Sequence, residues 1–317
     1  MNVAVFALTM SIGSYSIPLR DVVPALLGSG DPAAVLVVHD LRLPRALVAV
    51  LTGSALGMAG AILQALARNP LASPDVLGIT AGASAAAVFV ITVVGATSAY
   101  TLPLAAFAGA LGTALVLYAL AYRQGVSAYR LILVGIGLGA TLQAVTSYFL
   151  TRTYVTSAAA ATTWLVGSLN ARLWPTFWPL AISMAALVPL AFVAVRPLRA
   201  LQLGDATAAG LGVRVERARL ALLVVAVLLA AVATASAGPV AFVAFVSAPI
   251  ARRLLGTGGV ALLPAALVGS LLVLSADLAG QQLVDGGELP AGVLTGVIGG
   301  AYLLYLVARV NRIGRAG

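Results

Sequence analysis

The side chains in this sequence that could do chemistry are few, and their types exclude most reactions. Among 317 residues there is no cysteine and no lysine; there is one histidine, His39, beside nine carboxylates and eighteen arginines. A nucleophilic serine or threonine needs a base next to it, and His39 lies outside every long apolar segment, so no hydrolytic constellation can be assembled. A standard P-loop uses its lysine to reach the outer phosphates of a nucleotide, so the chain cannot contain one. If ATP drives a process here, another subunit must hydrolyse it. Thiolate or imidazole clusters for a metal are equally out of reach, so no metal site and no cofactor is expected, and a transported metal would arrive already chelated.

What remains is charge, placed at few positions. Arg42 and Arg45 stand three apart and share one face at the start of an apolar helix, with Pro44 in its first turn. Cations at a helix N-terminus oppose its dipole by roughly 0.3–1 kcal/mol each. Either carboxylates of an external partner compensate them, or they snorkel to lipid phosphates. Asp277 is the one acid well inside an apolar segment, open to two readings: a polar contact between helices, or a functional intramembrane acid. It has no neighbouring His, Glu or Lys in sequence for a proton relay. Glu288, ahead of Leu289-Pro290, reads as a helix cap. The longest polar interruption of the second half, residues 196–219, carries five arginines and two acids. Pro197 is placed to open one short helical turn in it and Asp205 to cap another running to Gly210. The small residues Ala206 to Ala209 permit close approach of another backbone. A plain loop at the headgroups and a contact for a partner are both open readings of it.

The elements that hold these residues are membrane helices. The sequence is 62% hydrophobic and 9% charged with mean hydropathy +1.09, far from soluble averages. Its long Ala-, Leu-, Val- and Gly-rich runs lack the alternation of barrel strands. About ten spans are expected: 1–16, 46–67, 78–98, 102–122, 131–150, 177–195, 220–237, 240–255, 260–283 and 290–308. The first reaches roughly 24 Å against a core of about 30 Å, so it reads as truncated or as thinning the bilayer. No cleavable signal is evident in Met1 to Met10. Breakers interrupt 17–39, 151–175 reads as irregular, and Gly238-Pro239 ends one helix. Tyr148, Tyr154, Trp164, Trp174 and Trp178 read as an interfacial belt. With the 196–219 loop in the cytoplasm, alternation puts thirteen arginines inside (68, 123, 130, 196, 199, 214, 217, 219, 252, 253, 309, 312, 315) and five outside (20, 42, 45, 152, 172). The positive-inside rule favours that orientation, with both termini cytoplasmic. The scatter of arginines over helix ends speaks against nucleic acid.

Five blocks, in order, carry a resemblance over nearly the whole chain: RLPRALVAVLTGSALGMAGAILQALARNPLASPDVLGITAGA (Arg42–Ala83), WLVGSLN (Trp164–Asn170), LGDATAAGLGVRVERAR (Leu203–Arg219), AGPVAFVAFVSAPIARRL (Ala237–Leu254) and ELPAGVLTGVIGGAYLLYL (Glu288–Leu306). The sequence resembles the FecCD-type permeases, membrane subunits of ABC importers for ferric siderophores, haem and cobalamin. The resemblance implies an all-α, ten-helix type II importer fold, with 1–317 as one permease domain in a bacterial cytoplasmic membrane. It also implies a second permease subunit, identical or homologous, two cytoplasmic ATP-binding subunits and an external substrate-binding protein or lipoprotein. Short coupling helices are implied between the sixth and seventh spans, in a contact narrowed to Gly204, Asp205, Ala208, Gly210, Leu211 and Gly212. Arg42 and Arg45 would meet acids of the binding protein, and the helix bearing Gly135, Gly139, Gln143, Thr146 and Ser147 would line the pathway.

Three departures from the family pattern stand out. The first helix is short, Ala248-Pro249 replaces a common Pro-His, and Gln281 occupies a position where some members carry a further basic residue, which puts a third docking charge in doubt. The resulting expectation is a non-enzymatic permease that passes a ferric siderophore inward. Haem or cobalamin import is the alternative, and an ion-gradient-driven transporter the reading from another class, with Asp277 its only support.

Overall fold

In a computed structural model, which describes residues 1–13, 15–95, 98, 100–122, 127–256, 259–284 and 287–313, the described residues form helices and connecting turns, and no strand. Of the arginines counted above, Arg123 and Arg315 lie outside the described residues.

The chain begins with α1 (Asn2–Ser11), α2 (Leu19–Leu26) and α3 (Pro32–Val35), and a wide π-helical turn, Leu36–Arg42, leads into α4 (Leu43–Ala67). It continues with α5 (Ile79–Phe89) and its π-helical extension Val90–Val94, α6 (Thr101–Ala121), α7 (Ala128–Thr151), α8 (Val155–Leu165), α9 (Trp174–Gln202), α10 (Asp205–Gly210), α11 (Val215–Ala237), α12 (Val243–Leu255), α13 (Leu262–Gln282) and α14 (Ala291–Ile313). Six of these helices, the one containing α4 and then α6, α7, α9, α11 and α13, are long and apolar enough to cross a bilayer. With the shorter apolar helices α1, α5 and α14, and with α12, each of the ten expected spans has its helix.

Helices α4 and α11 are the buried axis, and the rest pack around them. Between membrane helices lipid supplies no hydrophobic drive, so association rests on close van der Waals approach at small residues. Here α4 turns Gly53, Gly57 and Gly60 towards its neighbours. A Cβ at Gly53 or Gly57 would collide with the Gly269 or Ala265 carbonyl of α13, and one at Gly60 would overlap the Ala244 carbonyl of α12.

Several expected boundaries shift. Helix α1 stops at Ser11. The segment 151–175 contains α8, whose alanine-rich run buries Trp164 inside the protein, so this tryptophan leaves the expected interfacial belt. Trp174 and Trp178 stack at 6.1 Å on the rim. Helix α9 runs unbroken through Pro179, Pro189 and Pro197; Pro197 therefore extends a helix instead of opening a new turn. Helix α10 is the one short helix formed between α9 and α11 among the described residues. Its N-cap is Gly204, in a backbone conformation with φ 110°, and Asp205 is its first residue without a capping bond.

Candidate functional site: two charged ends joined by broken helices

Arginines stand at both ends of the bundle. One end of the bundle gathers Arg68, Arg219 and Arg252 around the 196–219 loop, and the other holds Arg42, Arg45 and Arg172. At the second end, the π-helical turn before α4 aims Arg42 and Arg45 differently. Arg45 forks onto Asp277 of α13, with Nε and Nη2 each 2.9 Å from a carboxylate oxygen. Its Nη1 lies 3.0 Å from Glu288, and the Gln281 side-chain amide donates a hydrogen bond to Asp277 at 2.8 Å. The Arg45 and Asp277 side chains are 15% and 4% exposed. Asp277 is thus the polar contact between helices, and Glu288, expected as a cap, also reaches Arg45. Arg42 instead donates to the carbonyl oxygens of Met10 and Tyr15, tying down the α1–α2 connection.

At the arginine-rich end, α10 is strapped to its surroundings through Asp205. Arg219 of α11 donates to both carboxylate oxygens at 2.8 and 2.7 Å, and Arg68 stands 3.8 Å away while also bonding the Leu201 carbonyl. Arg68 reaches them because it ends α4 in the left-handed region, φ 50°. Ala208 packs inward, fully buried, and a Cβ at Gly204 or Gly210 would meet open space. Leu211 is 64% exposed and Leu203, just before α10, 66%. Leu203 was not singled out from sequence, where a leucine in an apolar chain carries no signal. Its exposure among arginines is what distinguishes it.

Between the ends, two interrupted segments meet. Residues 69–78 turn back from the end of α4 and climb beside α7: Gly135 lies against Leu77, with a Cβ there only 2.7 Å from the Leu77 Cα, and Gly139 against Gly78. By helical rise these contacts are roughly 10–16 Å above the start of α7. At the same level α11 ends at Gly238-Pro239 and α12 restarts after Phe242, a non-glycine residue at φ 64°. Asp75 stands between the two interruptions, with Thr80 at the start of α5 and the backbone of Phe242 as its polar neighbours. Broken helices whose free backbone groups are satisfied by neighbours are the form in which irregular structure is tolerated at membrane depth.

The five α7 residues expected to line a pathway divide by face. Gly135 and Gly139 pack against 76–78, and Thr146 is buried, its hydroxyl bonded to Leu142. Gln143 and Ser147 lie on the exposed side, on the same helix as exposed Leu133 and Ile136. Among the described residues no group of three His, Cys, Asp or Glu could hold a metal.

The fold and these charged ends define a multi-pass α-helical membrane transport subunit built on broken helices. The family model of the FecCD transport family matches residues 1–309, and the chain belongs to that family. It is 43% identical over 300 residues to the ferric enterobactin transport system permease protein FepG of Escherichia coli (strain K12), across 95% of this chain and 91% of that one. It is 42% identical over 309 residues to the achromobactin transport system permease protein CbrC of Dickeya dadantii (strain 3937), across 96% and 88%. Its fold superposes on a solved transporter described as of the metal-chelate ABC type, in an inward-facing conformation. The TM-score is 0.83 at 27% identity, covering 97% of this chain and 96% of the other.

Proposed function

We propose that this chain is the permease subunit of an ATP-driven importer that carries a ferric siderophore or similar iron chelate into the cytoplasm, with 1–317 acting as one permease domain. The observation that carries the reading is the exposed, strapped helix α10: a six-residue helix flanked by two exposed leucines at the arginine-rich end. Apolar side chains held out among arginines suit a protein partner. Gly204, Asp205, Ala208, Gly210, Leu211 and Gly212, with Leu203, form the seat of a cytoplasmic ATP-binding subunit, and Asp205 serves it from beneath as the strap.

The chain does no bond chemistry of its own. At the opposite end, Arg42 belongs to the surface that receives an external substrate-binding protein, while Arg45 supports that surface from within its ion pair. The exposed side of α7, with Gln143 and Ser147, faces the pathway shared with a second permease subunit. The arginine balance supports a bacterial cytoplasmic membrane with both termini inside. The pairing of Asp277 with Arg45 takes away the acid on which an ion-gradient-driven mechanism would depend.

The test is reconstitution. Proteoliposomes holding this chain, its ATPase and permease partners and the external binding protein should take up radiolabelled ferric siderophore only with internal ATP, and the purified chain alone should hydrolyse none. Uptake that ignores ATP and collapses with an ion gradient would sink the reading. Uptake of haem or cobalamin in place of the ferric siderophore would redirect the substrate.

A further inference from the structure

Three aromatic rings and a cation stand in line at the C-terminal end of α7. Phe89, at the end of α5, meets Phe149 edge-on with ring centres 5.4 Å apart, Phe149 meets Tyr148 in the same way at 5.7 Å, and the Arg152 guanidinium carbon lies 5.6 Å from the centre of the Tyr148 ring. The row of rings fixes Tyr148, and Tyr148 fixes Arg152 at the C-cap of the helix. A cation there also suits the helix dipole, but the dipole is answered by charge alone and asks for no ring beneath it. A guanidinium over a ring engages it through its face and keeps its N–H donors for an oxyanion.

Nothing in the described chain takes those donors. Among the described residues the Arg152 side chain makes no hydrogen bond and no ion pair. The sequence withholds acids from this whole region: none occurs between Asp75 and Asp205, a stretch that contains all of α5 to α9. The exposed side of α7 also changes character along its length. From Leu133 to Ala140 its exposed residues are apolar; beyond them Gln143, Ser147, Tyr148 and Arg152 are exposed as well. None of these four side chains has a hydrogen-bond partner among the described residues. Hydrocarbon penalises polar groups left without partners, and ionisable residues on membrane helices face cavities or other protein. Lipid is the wrong medium for this half of α7, and a watered pathway the right one.

We infer that Arg152, seated on Tyr148, is the entry receptor for the chelate and selects chelates of net negative charge. This rests on the importer reading and deepens it, by naming the residue that draws the chelate into the pathway and the charge it requires. The row behind Arg152 argues for cargo as the occupant. Ser147 and Gln143 continue along the helix to about 14 Å from Arg152 by helical rise, and the exposed side then turns apolar. Charge, hydroxyl, amide and hydrocarbon follow one another, a grip that loosens inward and so lets an anion enter without trapping it. A carboxylate of the external binding protein would meet Arg152 but not the row along the helix.

The test uses the full permease–ATPase assembly in zwitterionic-lipid nanodiscs, without nucleotide or binding protein, in equilibrium dialysis against two radiolabelled ferric chelates. One is a ferric tris-catecholate, a net trianion, and the other a neutral ferric tris-hydroxamate. The wild type should hold the trianion about tenfold more tightly than the neutral chelate, with an affinity that falls as salt rises. Arg152→Gln should weaken the trianion about tenfold and leave the neutral chelate within twofold. Tyr148→Leu, which removes the ring beneath the guanidinium, should weaken the trianion several-fold. Arg152→Lys should fall between wild type and Arg152→Gln, since a point charge lacks the planar fork; it decides the matter should Arg152→Gln lower the melting temperature. Equal retention of the two chelates by the wild type overturns the receptor, as does trianion binding within twofold of wild type in folded Arg152→Gln. A loss of both chelates alike in Arg152→Gln overturns it too, because the residue would then be supporting structure and not reading charge. ATP-driven uptake with the binding protein is run in parallel: its absence in the wild type removes the importer reading, a failure separate from any outcome of the dialysis.

Discussion

Arg45 and Asp277 meet as a fork, two parallel hydrogen bonds of 2.9 Å across 232 residues of sequence. The contact welds the N-terminal end of α4 to the C-terminal end of α13, the same two helices whose glycines Gly53 and Gly269 bring their backbones together further along. Planar guanidinium and carboxylate match in geometry as lysine would not. Gln281 completes the set by donating to the same carboxylate.

The pair is nearly buried, so the cost of breaking it should exceed the cost of removing it. Asp277→Ala leaves an enclosed arginine with Glu288 alone and should cost about 3–5 kcal/mol, whereas Arg45→Met with Asp277→Leu should cost far less. Thermal unfolding of the purified chain in nanodiscs checks the order. A double variant less stable than either single one would show that the pair is not what these residues contribute.

The α4 glycines give a second ordering. Gly60→Ala places a methyl on the Ala244 carbonyl of α12, main chain that can retreat only if the helices part. It should abolish stable folding or lower the melting temperature by many degrees, an overpacking penalty of roughly 1–3 kcal/mol or more. Gly112→Ala on α6 meets open space and should gain up to about 1 kcal/mol from helix propensity. Equal effects at the two positions would refute the close-packing account.

Hydropathy and breakers made the ten spans legible, because a span is a bulk property of some twenty residues. They could not show α8, since an eleven-residue segment dominated by Ala and Thr is as compatible with a loop as with a helix. Nor could they show that α9 passes through Pro197. Proline forfeits one hydrogen bond and signals a break in sequence, yet a helix flanked by others can absorb it. Arg42 and Arg45 were legible as a pair on one face, but not their divergent partners: those of Arg42 are main-chain carbonyls, and those of Arg45 are acids more than two hundred positions away. The turn carrying Arg172 was hidden for the same reason: its anchors are carbonyls and amides of Ala237 and Gly292, which leave no mark in side-chain type.

The strap on α10 predicts a loss of coupling more than of stability. Asp205 is about half exposed, and exposed pairs are worth roughly 0–1 kcal/mol, so Asp205→Ala should fold normally. Released from Arg219 and Arg68, the helix should transmit partner motion poorly. ATP hydrolysis by the assembly should persist while chelate uptake per ATP falls several-fold. Leu203→Ser with Leu211→Ser should act differently, by weakening retention of the ATP-binding subunit itself. If Asp205→Ala lowers retention and leaves the uptake-to-hydrolysis ratio untouched, α10 is a seat and not a lever.

Asp75 tests whether the two interruptions at mid-depth behave as one element. Its carboxylate has as polar neighbours the backbone of Phe242, the N-cap of α12, and Thr80 at the head of α5. Asp75→Ala removes the polar side chain that both segments face and should loosen them; Asp75→Asn keeps an amide oxygen there and should be milder. The signature is local. Hydrogen exchange should accelerate in the 238–246 break and, because the two interruptions share the same side chain, at the start of α5 as well, while α9 and α13 keep their protection. Faster exchange confined to one of the two segments would mean that each break is held by its own surroundings and that Asp75 does not join them.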